Sequence, residues 1–142
     1  MAKISGFGAV LAWDPAGGSS YTSLGQIANI SGPSLSRTSI DVTTHDSSSW
    51  WMEFIKGLKD GGEISFDVIY DPALATHDFS TGILSDLDDD STIPNFRITF
   101  PDTGSTQWIL PAFVTGANVD IPINDKLGMS VTVKVAGAPT LA

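Results

Sequence analysis

Two histidines stand directly beside a carboxylate, His45 with Asp46 and His77 with Asp78, and no other such pair occurs in the sequence. A general base and the acid that orients it must meet through their side-chain tips, which neighbours in sequence rarely do. No serine sits in a Gly-x-Ser-x-Gly elbow to serve as nucleophile. Asp86, Asp88 and Asp90 have the first, third and fifth positions of a calcium loop. The sixth is Ser91, where glycine should make the turn, and the twelfth is Arg97, where a bidentate glutamate should close the shell. A cation in the place of a ligand defeats the motif. The runs "GFG" and "KDGG" lack the length and lysine placement of a phosphate loop. No catalytic residue, cofactor or metal ligand is therefore expected, and the chain reads as a non-enzyme.

A different chemistry is concentrated in "HDSSSWWMEFIKGLKDGG", His45 to Gly62. Strand side chains alternate between faces, so Trp50 and Trp51 cannot share one. Gly57, Gly61 and Gly62 leave little room for a long helix. At least one indole must be covered by something other than its own element: the core of the chain, or another molecule.

Charge narrows the choice of partner. The net formal charge is −9, and Asp60 to Asp102 holds ten acids against Arg97 alone. Such a surface repels phosphate backbones, so tight nucleic-acid binding is not expected, although a solvated acidic face could serve solubility alone. There is no cysteine. That excludes a disulfide scaffold and a thiolate metal site, and it suits assembly in a reducing cytoplasm. "KISGFGAVLAW" superficially resembles a signal peptide, but Gly6 and Gly8 interrupt it and "WDPAGGSSY" reads as strand, turn, strand. Nothing is long enough to cross a bilayer, and no membrane partner is expected.

The elements that position these residues are mostly strands. Short β stretches are expected near Leu24 to Ile30 and Arg37 to Thr43, separated by Gly32-Pro33. "GEISFDVIY" puts Ile64, Phe66, Val68 and Tyr70 on one face and Glu63, Ser65 and Asp67 on the other. "NFRITF" and "KLGMSVTVKV" alternate in the same way, whereas "TQWILPAFVTGANV" is apolar on both faces, with Pro111 marking an edge or a bulge. In "DPALATHDFSTGILSDLDDD", Asp71-Pro72 offers a cap and Phe79, Ile83 and Leu87 recur at i, i+4, i+8, which predicts the one α-helix. The expected fold is mainly β, a β-sandwich or partly closed barrel with one flanking α-helix, forming a single domain over 142 residues.

The order and spacing of "IDVTTHDS", "FIKGLKDGGE", "DPALATHD" and "DKLGMSVTVKVAGAP" resemble the major tail tube protein of long-tailed, non-contractile bacteriophages, over roughly Gly25 to Pro139. The resemblance implies a fold shared with the type VI secretion tube protein. It implies subunits that close into hexameric rings and stack into a virion tail tube, assembled in the host cytoplasm. The tube would enclose the tape measure protein, meet tail terminator and tail-tip proteins, and conduct DNA without binding it specifically. The additional C-terminal immunoglobulin-like domain of some relatives is not expected, since the sequence stops at Ala142 just after the last strand. In such tubes the long connection between two central strands reaches a neighbouring subunit or ring. Val42 to Gly61 holds that position here, which makes Trp50, Trp51, Met52, Phe54, Ile55 and Leu58 candidate interface residues. Glu63 and Asp67 become candidates for the lumen. Two alternatives compete: an adhesion or decoration module that binds a host or capsid partner through the tryptophan loop, and an acidic-site hydrolase.

Overall fold

The computed structural model describes residues 3–141. Ten strands run in chain order: β1 (Val10–Asp14), β2 (Thr22–Ser23), β3 (Ile27–Ser31), β4 (Ser36–Asp41), β5 (Phe54–Asp60), β6 (Glu63–Ile69), β7 (Asn95–Thr99), β8 (Gln107–Asp120), β9 (Gly128–Val135) and β10 (Thr140–Leu141). Every pairing among them is antiparallel. The main body follows the order β2-β1-β7-β8-β9-β6-β3, with β10 also on β8, and β4 and β5 form a separate two-stranded sheet.

Strand β8 belongs to both layers of the sandwich. Its first residues pair with β7, from Gln107 opposite Thr99 to Pro111 opposite Asn95, and from Ala112 onward it pairs with β9. Pro111 stands at that change of partner, where a residue with no N–H to donate is tolerated. The apolar sides of the two layers meet as the sequence alternation requires. Ile64, Phe66 and Val68 of β6, Met129, Val131, Val133 and Val135 of β9, and Phe96 and Ile98 of β7 are buried with Leu11, Trp13 and Leu110. Truncating a residue such as Phe66 to alanine at this density typically costs about 3–5 kcal/mol.

The flanking helical element is shorter than the sequence suggests. Ile83–Asp88 forms a single 3-10 helix rather than the end of an α-helix over the preceding residues. Upstream of it the chain is a series of turns held by its surroundings. Gly82 is extended at φ −95°, ψ −162°. The Ile83 N–H bonds to the Thr76 carbonyl. Of the apolar trio, Ile83 is buried while Phe79 and Leu87 remain exposed. Local turn bonds and the extended Gly82 displaced a helix that glycine already weakened by about 1 kcal/mol.

The long connection Val42 to Gly61 contains a strand of its own, β5, over Phe54–Asp60, which pairs with β4 in a hairpin that carries no buried residue. At the root of this hairpin the Gly32–Pro33 peptide is cis, and Gly32 and Gly62 have φ of +105° and +71°. A Cβ at Gly32 would strike the Glu63 carbonyl, and one at Gly62 the Ser34 carbonyl. Both positions therefore require glycine.

Candidate assembly surfaces

The register of β4 and β5 sorts the hairpin side chains into two faces. Ile40 lies opposite Ile55 on one, while Asp41 lies opposite Phe54, Ser39 opposite Lys56 and Arg37 opposite Lys59 on the other. Both faces are open. Phe54 and Ile55 are each exposed to about half of their area, and Leu58 is 86% exposed. A two-stranded hairpin with no covering layer is marginal in water by itself.

At its tip Ser49 and Trp50 have φ of +56° and +66°, and the Trp51 N–H bonds to the Ser48 carbonyl at 3.1 Å. This is a turn of the I′ kind, whose two central residues need positive φ and are ordinarily Asn and Gly. A tryptophan in the second of those places is strained. Trp50 is 100% exposed, Trp51 74% and Met52 63%. The possibility that the indoles fold back onto their own core is thereby excluded for this conformation.

The sheet of β3, β6, β9 and the second half of β8 presents a polar outer face. Hydrogen-bond register aligns Asn29, Asp67, Ser130 and Asn118 in one row, and Ser31, Ser65, Thr132 and Gly116 in the next. A third row sets Glu63 beside Lys134. The Ser130 hydroxyl donates to Asp67 at 2.8 Å, and Lys134 donates to Asp60 at 2.8 Å, which with the Gly62 N–H holds the Asp60 carboxyl below the usual range. Glu63 and Asp67 thus share one exposed face. The alternation of "SVTVKV" made the polar face of β9, Ser130, Thr132 and Lys134, legible in the sequence, whereas the residues that join it from β3 and β8 were not.

The chemistry-bearing residues are not brought together. His45 is on the exposed hairpin, whereas His77 is buried, accepting the Asp71 N–H at Nδ1 (3.1 Å) and donating from Nε2 to the Gly25 carbonyl (2.7 Å). It ties two loops and does not meet Asp78, whose carboxylate accepts from Ser80 and Thr81 instead. Asp86 is buried while Asp88 and Asp90 face solvent, and no cluster suited to a metal ion exists among the described residues.

With this geometry the comparisons with known proteins agree. The family model described as lambda phage tail tube protein matches residues 8–142. The chain belongs to the lambda phage tail tube protein family. No curated protein matches it. Among solved structures, a chain from the tail of an empty gene transfer agent particle, determined with C6 symmetry, superposes with a TM-score of 0.73 at 19% identity, covering 99% of both chains. A chain of the native gene transfer agent virion gives the same values. A chain of the sheath–tube complex of an extracellular contractile injection system superposes with a TM-score of 0.68 at 12% identity, covering 99% of this chain and 93% of that one. At these identities the superpositions establish the fold. Family membership makes this a structural protein of a virion tail that forms a tube by self-assembly, not an enzyme.

Proposed function

We propose that the subunits close into rings of six, that the rings stack head to tail, and that the β4–β5 hairpin is the bond between neighbours. The observation that carries this is the hairpin itself, which exposes Trp50, Trp51, Met52, Phe54, Ile55 and Leu58 together. Aromatic side chains of this kind dominate protein interfaces. Its Arg37, Lys56 and Lys59 lie on one face, so that face suits the acidic body of a neighbour.

Within a ring, the edges of the polar sheet supply the lateral contact. Among the described residues, β3 pairs with β6 alone, and β8 beyond Val114 pairs with β9 alone. Joining one such edge to the other in the next subunit removes both and closes a continuous barrel. The sixfold symmetry of the similar gene transfer agent tail supports six as the number. The polar rows then line the bore. Glu63 and Asp67 repel a passing DNA backbone, the Ser, Thr and Asn side chains add no positive charge, and Lys134 of the same rows is paired with Asp60. The same bore encloses the tape measure protein during assembly in the host cytoplasm, and terminator and tail-tip proteins close its ends.

Negative-stain electron microscopy of the purified protein across a concentration series tests the proposal. Rings of uniform size or hollow tubes are expected. A strict monomer at high concentration, even with a tail-tip nucleator added, refutes it.

A further inference from the structure

The sandwich is open along one side, beside β3. There a groove of about 870 Å³ runs between the N-terminal segment, β3 and the β7–β8 turn. Its floor is aromatic: Phe100 and Trp108 meet edge to face at 5.1 Å between centroids, next to buried Ile98. Ile30 of β3 forms one wall, and Phe7, 92% exposed, forms the other. No side chain of the same subunit fills it.

We infer that this groove receives the hairpin tip of a second copy, with Trp50 and Trp51 as the inserted groups. The inference rests on the tube-forming function proposed above and adds the receptor for its hairpin. Chemistry and size both match. The groove lies within the ~300–1,000 Å³ of sites that enclose aromatic ligands, and indoles prefer offset or edge-on contact with rings such as Phe100 and Trp108.

The subunit cannot supply the tip itself. The hairpin leaves the body just past Gly32, at one end of the groove, and its ladder continues to the bond from the Val42 N–H to the Glu53 carbonyl. At about 3.4 Å per residue the stem sets the tip roughly 25 Å from its root, so folding it back means breaking that ladder. Tip and groove are different surfaces of one chain. Filling one leaves the other free, so the contact propagates from subunit to subunit and does not stop at a dimer. Two buried indoles contribute roughly 150–250 Å² each, a substantial share of the ~800 Å² per partner that a stable interface uses, and the lateral sheet contact beside the groove adds to it. The groove runs along the unpaired edge of β3, which makes it continuous with the lateral contact.

Cysteine cross-linking is the direct test, because the parent chain has no cysteine to confuse it. Ser48→Cys marks the tip and Ala28→Cys the groove rim, both at exposed positions. On mild oxidation an equimolar mixture should give a disulfide-linked dimer severalfold in excess of either variant alone. A third variant, Asn124→Cys, marks the turn at the opposite end of the polar sheet. Tubes seen by microscopy without the Ser48–Ala28 cross-link, or with Ser48 joining Asn124 instead, overturn the inference and leave the tube function standing. Absence of both cross-link and assembly overturns the two together. As a second readout, Phe7→Ala should leave the melting temperature unchanged and raise the concentration needed for assembly about tenfold or more, as loss of an interfacial aromatic does. Unchanged assembly of Phe7→Ala beside normal cross-linking of Ser48 to Asn124 assigns the tip elsewhere.

Discussion

The Asp86 carboxylate accepts a 2.7 Å hydrogen bond from the backbone N–H of Val114, joining the 3-10 helix to β8 just before its bulge. That amide is in the second half of β8, where pairing with β7 has ended and the chain serves only β9. The helix is too short to hold itself by its own ladder, and this bond anchors it to the sheet.

Asp86→Ala leaves a buried N–H without an acceptor and should destabilise the subunit by about 1–3 kcal/mol, read by chemical denaturation. Asp86→Asn keeps an acceptor and tests the charge. Burial raises the Asp86 carboxyl above its ordinary value, against the smaller opposing effect of the Val114 N–H. A raised folded-state value means that the stabilising contribution is complete in acid and is lost as pH rises through that value. The asparagine variant should therefore melt above the parent at pH 7, and the gap should close below about pH 4. The parent's own profile runs the other way. Asp41, Asp60, Asp78, Asp89 and Asp102 are all lowered by hydrogen bonds, so their contributions are present at neutral pH and fade in acid. A gap between the two proteins that does not narrow with acidification assigns the effect to packing instead of charge.

Replacing Trp50 and Trp51 together with alanine should leave the melting temperature of the isolated subunit within a few degrees of the parent. Neither side chain is buried, and removing exposed groups usually changes stability by less than about 0.5 kcal/mol. Alanine keeps the Cβ, so the positive φ at Trp50 is as strained in the variant as in the parent. Assembly is a different matter, since each lost interfacial aromatic costs about 2 kcal/mol or more at every subunit contact. Sedimentation should show no polymer at concentrations where the parent forms it. Normal tubes from the double variant exclude the tip from the interface.

Amide hydrogen exchange separates the two states of the hairpin. In the free subunit its amides should exchange far faster than those of β6 or β9, because no layer covers either face of β4 or β5. Protection should appear across Val42 to Gly61 on assembly. Equal protection in monomer and polymer means that the hairpin is stable without a neighbour.

The body of the fold was legible because its alternation is strict. Ile64, Phe66 and Val68, and Met129, Val131 and Val133, face the core as their spacing demands, and Pro111 marks a discontinuity. Two elements were not legible, for different reasons. The residues before Ile83 have a helical period, but tertiary and turn bonds at Thr76, His77 and Gly82 outweigh it. Strand β5 was hidden because "FIKGLKD" has no clean alternation: both of its faces are exposed, and each mixes apolar with polar side chains. The tip tryptophans were conspicuous in the sequence. The groove of Phe7, Phe100 and Trp108 was not, since its walls come from three separated segments.

The polar sheet face yields the last prediction. Glu63 and Asp67 are exposed, and neither carries a core contact that substitution would break. Changing both to lysine should leave the fold nearly intact, at the cost of the single Ser130 to Asp67 hydrogen bond. If this face lines the bore, each subunit changes its contribution there by four charge units, and sixfold repetition turns a repelling channel into an attracting one. Tubes of the double variant should then retain short DNA on co-sedimentation, with retention falling steeply as salt is raised, because the contact works through counterion release. Parent tubes should retain little at any salt. A face on the outside of the tube would also gain DNA affinity, so the location is read separately: a bulky anionic dendrimer too wide for the bore should compete with DNA for outer cationic sites only. Retention abolished by that dendrimer would place Glu63 and Asp67 outside the lumen, and retention that survives it would place them inside.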